Sequence, residues 1–92
     1  MTNKLTREEI AEIHGEHILF MDGHDDAFIG IVSQASRALA CYDAVKVVEK
    51  LQRDGMTEEE AQEFFEFNIN CAYAGEYTPM LLERYELEVS AE

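Results

Sequence analysis

Positive charge is what this chain has least of. Seven lysines and arginines stand against twenty aspartates and glutamates, a formal net charge of −13 at pH 7. A surface of that sign repels phosphate, and no basic patch is visible along the sequence, so direct binding of DNA or RNA is not expected. There is one proline, with no low-complexity tract and no internal repeat, which excludes proline-rich linkers and solenoid arrays. The two cysteines, Cys41 and Cys71, are too few for a disulfide scaffold. Met1 to Glu9 lacks the apolar centre of a secretion signal, so the expectation is a cytoplasmic protein with reduced thiols. No apolar run approaches the roughly 20 residues that a membrane-spanning helix needs.

What is present is enough for one core. Apolar residues make up 47% of the chain, with five Phe and four Tyr, which argues against disorder despite the acidity. Ninety-two residues imply one domain over 1–92, with about 60–65% of the unfolded surface buried on folding. Charge is unevenly spread. Residues 1–53 hold nine acids and six bases, net −3, whereas residues 54–92 hold eleven acids and one base, Arg84, net −10. A charged partner should therefore be basic and should meet the C-terminal half.

Local signals predict the elements. Thr6 and Glu9 form a capping-box pattern, with Leu5 and Ile10 placed as a hydrophobic staple. The helix they start carries an Ile10/Ile13 stripe and should stop at His14-Gly15. His17–Met21 reads as a strand running into an Asp22-Gly23 turn, followed by a Gly23–Asp26 loop. Residues 27–32 read as a second strand, apolar on both faces and so central, and 38–42 as a third after a polar turn at 34–37. Asp43 is placed to cap a helix over Ala44–Arg53 with a Val47/Val48/Leu51 stripe, ended by Asp54-Gly55. Thr57 and Glu60 repeat the capping box, and a third helix is expected to run to about Tyr73. On an α-helical wheel, Ala61, Phe64, Phe65, Asn68 and Ala72 share one arc, while Glu59, Glu63 and Glu66 share the other. Tyr85, Leu87 and Val89 alternate with charged residues and suggest a last strand. A short helix capped by Thr78 ahead of Pro79 is the rival. The fold class that results is α+β: a small antiparallel sheet of three to four strands with three helices packed mainly on one face.

Three ordered blocks carry a resemblance. They are Asp22-Gly23-His24-Asp25-Asp26-Ala27 with Ile29-Gly30, then Asp54-Gly55-Met56-Thr57 with Glu59-Glu60-Ala61, then Phe65–Asn68, Ala72-Tyr73, Gly75-Glu76 and Thr78-Pro79. Together, over about residues 16–82, they resemble a family of small uncharacterised proteins encoded by bacteriophages and by bacteria carrying mobile elements. No activity is assigned to that family, so the resemblance brings no catalytic residues. It implies a phage-encoded accessory protein of a kind that binds and blocks a host enzyme.

The chemistry-bearing residues admit few readings. His14, His17, Asp22, His24, Asp25 and Asp26 hold metal-ligand chemistry. The calcium-loop spacing is absent, however, and a polar turn with carboxylates on backbone N–H groups is the plainer reading. No metal or other cofactor is expected. Cys41 and Cys71 read as buried structural residues, no nucleophile or phosphate-loop motif is present, and an enzyme is not expected. Asn68 is a structural polar candidate, expected as a buried amide bonded to loop backbone such as the Gly23–Asp26 turn. The sharpest functional candidate is the row Glu59, Glu63 and Glu66, rising about 6 and 4.5 Å apart along a helix. Such a row could imitate a nucleic-acid backbone and occupy a Lys/Arg groove. The expected function is a small acidic protein-binding inhibitor or accessory protein that contacts a basic surface of a host nucleic-acid-handling protein. The alternative is a small-ligand or metal-binding module built on Asp22, His24, Asp25 and Asp26. A homodimer through an exposed strand edge is also open.

Overall fold

The computed structural model describes residues 4–70 and 75–89. Its elements in chain order are helix α1 (Arg7–His14), a 3₁₀ turn (Asp25–Ala27), strands β1 (Phe28–Gln34) and β2 (Arg37–Asp43), helices α2 (Ala44–Arg53) and α3 (Glu58–Phe64), a π-helical segment (Phe65–Asn70) and strand β3 (Met80–Leu82). The class is α+β.

Helix starts follow the caps. Thr6 and Thr57 each accept the N–H of the residue three on, Glu9 or Glu60, whose carboxylate returns to the cap's own N–H. Asp43 accepts from the Lys46 amide at 3.2 Å and opens α2. α1 ends at Gly15 with φ of 115°, a conformation that favours glycine. The hairpin between β1 and β2 is the two-residue turn Ala35-Ser36, with φ of 48° and 75°. Both being positive matches the strand twist, as in type I′ turns, although Asn-Gly is the usual pair there.

The sheet has the order β1-β2-β3, with β1 and β2 antiparallel and β2 and β3 parallel. Three expectations are corrected by this. The sheet is mixed, because α2 and α3 form the crossover that returns the chain parallel to β2. β2, not the segment at 27–32, is the central strand, and its five residues from Leu39 to Asp43 are all buried. His17–Met21 joins no ladder. It is instead tied to the sheet where the Met21 amide donates to the Tyr42 phenolic oxygen at 2.8 Å, and it buries Ile18.

The helices share one core on the Ala40/Tyr42 side of the sheet, where Ile10, Val47, Leu51, Ala61 and Phe65 meet. Phe28 stands edge-on to Tyr42 at 5.4 Å. Ile13, expected beside Ile10, is exposed, so Ile10 is the one residue of α1 that is fully buried. The third helix also departs from expectation: its α-helical turns end at Phe64 and a wider π segment follows. A π-helix turns less per residue than an α-helix. The stripe that meets the core steps by four, Ala61–Phe65–Ile69, with Ile69 partly buried; Phe64, still on α3, and Asn68, on the π segment, fall outside it. Asn68 is exposed, not a buried amide. Tyr73 and Ala72 lie outside the described residues, as does Cys71. The last strand is Met80–Leu82; residues 83–89 form neither the expected strand nor its helical rival. Among the described residues no helix is long and apolar enough to cross a membrane.

Candidate functional site

The loop at 22–26 is organised by a residue outside the predicted set. Arg7, the first residue of α1, donates to Asp22 at 2.9 Å, to Asp25 at 2.7 Å and to the Met21 carbonyl at 3.2 Å. Its guanidinium also lies 5.1 Å from the centre of the Phe20 ring. Its hydrogen bonds to Asp25 first, then to Asp22, raise the Arg7 pKa further above its already high value. Asp22 and Asp25 thus hold a cation that the chain itself supplies. One sequence signal pointed there: Arg7 is the only base between Leu5 and Ser36.

The other two loop residues face elsewhere. His24 and Asp26 line a hollow of about 330 Å³ together with Lys46, Lys50 and Arg53 of α2. Burial, then the charge of Lys50, lowers the His24 pKa and keeps the ring neutral. Its Nδ1 is buried with no hydrogen-bond partner. Lys50 also bonds Asp54 at 2.7 Å, and that bond holds the Asp54 carboxyl below its usual range. Lys46, Lys50 and Arg53 share this hollow with Asp26 and Glu49, so its charge is mixed, with one more cation than carboxylate. Among the described residues no three His, Cys, Asp or Glu side chains lie together as a metal cluster. His17, another ligand candidate, stacks on Tyr77 at 5.4 Å, and His14 sits in the last turn of α1.

Cys41 is buried and unpaired, and burial pushes its thiol up, away from the reactive thiolate. Asp43 is buried too. Burial alone would raise its carboxyl, but the Lys46 amide and the Arg84 guanidinium, at 3.1 Å, outweigh that and hold it low.

The acidic row is exposed throughout. Glu59, Glu63 and Glu66 make no ion pair among the described residues, and the one base of the C-terminal half, Arg84, is engaged by Asp43. The three carboxylates do not line one feature, however. Glu63 borders a shallow hollow with Met56, Phe64 and Asn68. Glu66 borders a groove of about 300 Å³ between α2 and α3. That groove has an apolar floor of Val45, Val48 and Phe65, and Glu49, Glu58 and Glu83 complete an acidic rim with Glu66. The groove was not legible beforehand, because its rim comes from three separated segments. The nearest signal was Val45, an apolar residue off the Val47/Leu51 stripe of α2.

No family model, curated protein or solved structure matches the chain.

Proposed function

We propose that this is a protein-binding module that engages a basic surface, with the α2–α3 face as its contact. The observation that carries the reading is the acid-rimmed apolar groove: four glutamates around Val45, Val48 and Phe65. An apolar floor supplies contact area, and uncompensated carboxylates supply steering and selection for Lys and Arg. The wider field of exposed Glu59 and Glu63 extends this surface along α3. The resemblance to phage-encoded proteins, together with the nucleic-acid-like sign of the surface, suggests a basic, nucleic-acid-handling host protein as the target and inhibition as the outcome. In this reading the protein acts by occupancy.

The test is capture of partners from bacterial lysate at low and at high salt, with bound proteins identified by mass, followed by affinity measurements on the purified partner. The expected result is a basic nucleic-acid enzyme held at low salt and released at high salt. Affinity should fall at least tenfold in Glu59→Lys/Glu63→Lys and again in Glu66→Lys. Unchanged affinity in these variants would sink the reading.

A second reading has its own observation, the hollow at His24 where Lys46, Lys50 and Arg53 outnumber the carboxylates of Asp26 and Glu49. It supports a small anionic ligand in place of the metal considered from the loop sequence. A melting-temperature screen that responds to phosphate compounds, and loses the response in Lys46→Gln/Arg53→Gln, would favour it.

A further inference from the structure

The segment after β3 is built like a strand and has nothing to cover it. Tyr85, Leu87 and Val89 alternate with Arg84, Glu86 and Glu88, yet the three apolar residues are 84%, 89% and 85% exposed. Alternation of this kind is the signature of a strand with one buried face.

At the other side of the sheet lies an unpaired edge. β1 pairs only with β2 among the described residues, and its seven residues, Phe28–Gln34, carry no charge. Edge strands are ordinarily protected by charges, proline or a covering element. Residues 27–42 contain no carboxylate and one base, Arg37. On a chain of net charge −13, this hairpin is where an acidic segment can land with least repulsion.

The two features cannot meet within one chain. The position outside β1 is three strand spacings from β3, about 14 Å, which takes about four residues of extended chain to cross. The seven residues 83–89 would then have only about three left to pair. Folding back along β3 needs a turn, and 83–89 contain no Gly, Pro, Asn or Asp.

We infer that residues 84–89 of one copy add as a strand to the β1 edge of a second copy, and that the reciprocal exchange closes a two-fold dimer. The ladder hydrogen bonds supply affinity, and Tyr85, Leu87 and Val89 supply the buried face. Stable interfaces bury on the order of 1,200–2,000 Å² in total. Two such segments each bring three almost fully exposed large side chains to the seam. Ile29, half-exposed at the bulge of β1, belongs to the receiving edge. The receiving edge, β1, contributes no residue to the α2–α3 groove, while the donated segment begins one residue after Glu83 of its rim.

The test is sedimentation equilibrium of the full chain across the micromolar range at low and high salt. It is run beside Leu87→Asp and Ile29→Lys, with circular dichroism and melting checked on each. The expected result is twice the 10.5 kDa chain mass, strengthened by salt as it screens the repulsion between two acidic copies. Each variant should weaken association at least tenfold. Leu87 is exposed in the monomer, so Leu87→Asp does not threaten folding. A monomer at every concentration, or association unchanged by Leu87→Asp, overturns the inference. Larger species that vanish in Leu87→Asp overturn the two-fold closure and show the same contact running head to tail. None of these outcomes bears on partner capture through Glu59, Glu63 and Glu66, whose salt dependence has the opposite sign.

Discussion

Residues 27–42 and residues 54–89 are both rich in aromatic and aliphatic side chains, yet they are used in opposite ways. The first stretch has no carboxylate and supplies Ala27, Leu39, Ala40, Cys41 and Tyr42 to the interior. The second has ten carboxylates, and of its described residues only Ala61 and Phe65 are buried. Apolar residues are 11 of 16 in the first and 17 of 36 in the second, and position widens that difference. A central strand has neighbours on both edges and helices on one face, so its side chains are enclosed whatever their size. A helix at the margin buries one stripe and leaves the rest to solvent. Phe65 at 5% exposure and Phe67 at 76% are two residues apart.

That contrast can be broken most sharply at those two phenylalanines. Phe65→Ala should cost about 3–5 kcal/mol in urea unfolding, by lost transfer energy and the cavity left behind. Phe67→Ala should stay within about 0.5 kcal/mol. Similar costs at both sites would mean that the π segment is not placed as described. A smaller effect is expected at the strap over the sheet. Tyr42→Phe removes the acceptor of the Met21 amide and should cost about 1–3 kcal/mol, with little change in the protein's core. An unchanged midpoint would show that this amide finds another partner.

The smallest effect sharpens the comparison through pH. His24 has a lowered pKa in the folded protein, so the unfolded chain takes up its proton first as pH falls below about 6.5. Stability linked to His24 is therefore fully present above that pH and declines below it, down through the folded-state pKa. Urea midpoints measured from pH 7.5 to 5 should show this decline in the native chain and lose part of it in His24→Gln. A midpoint independent of pH across this range would remove the argument that burial keeps the ring neutral.

Much of the local structure was legible because its causes are local. A capping box needs only Thr6 with Glu9, or Thr57 with Glu60. Gly15 and Gly55 mark chain reversals, and the Asp43 cap reaches only three residues ahead. The β1–β2 hairpin was legible from two apolar runs around a polar turn. Asn68 was misplaced because an α-helical wheel assumes a constant turn per residue, which the π segment breaks. The signal was present as the four-residue spacing of Ala61, Phe65 and Ile69. His17–Met21 has the composition of a strand but is tied to Tyr42 of the central strand and joins no ladder. For the candidate site, the exposure of Glu59, Glu63 and Glu66 was readable from charge. The groove, the Arg7 clasp on Asp22 and Asp25, and the hollow at His24 were not, because each joins residues distant in sequence.

The sequence by itself determined where helices begin, where the chain turns, how acidic the C-terminal half is and which class of fold results. These depend on hydrogen bonds across three or four residues and on composition. The tertiary structure alone decided that β2 is central, that β3 runs parallel to it, which glutamates border an apolar floor, and that Tyr85, Leu87 and Val89 lack a cover. Each of those depends on which distant segments come to lie side by side, and many arrangements satisfy the same local pattern until packing selects one.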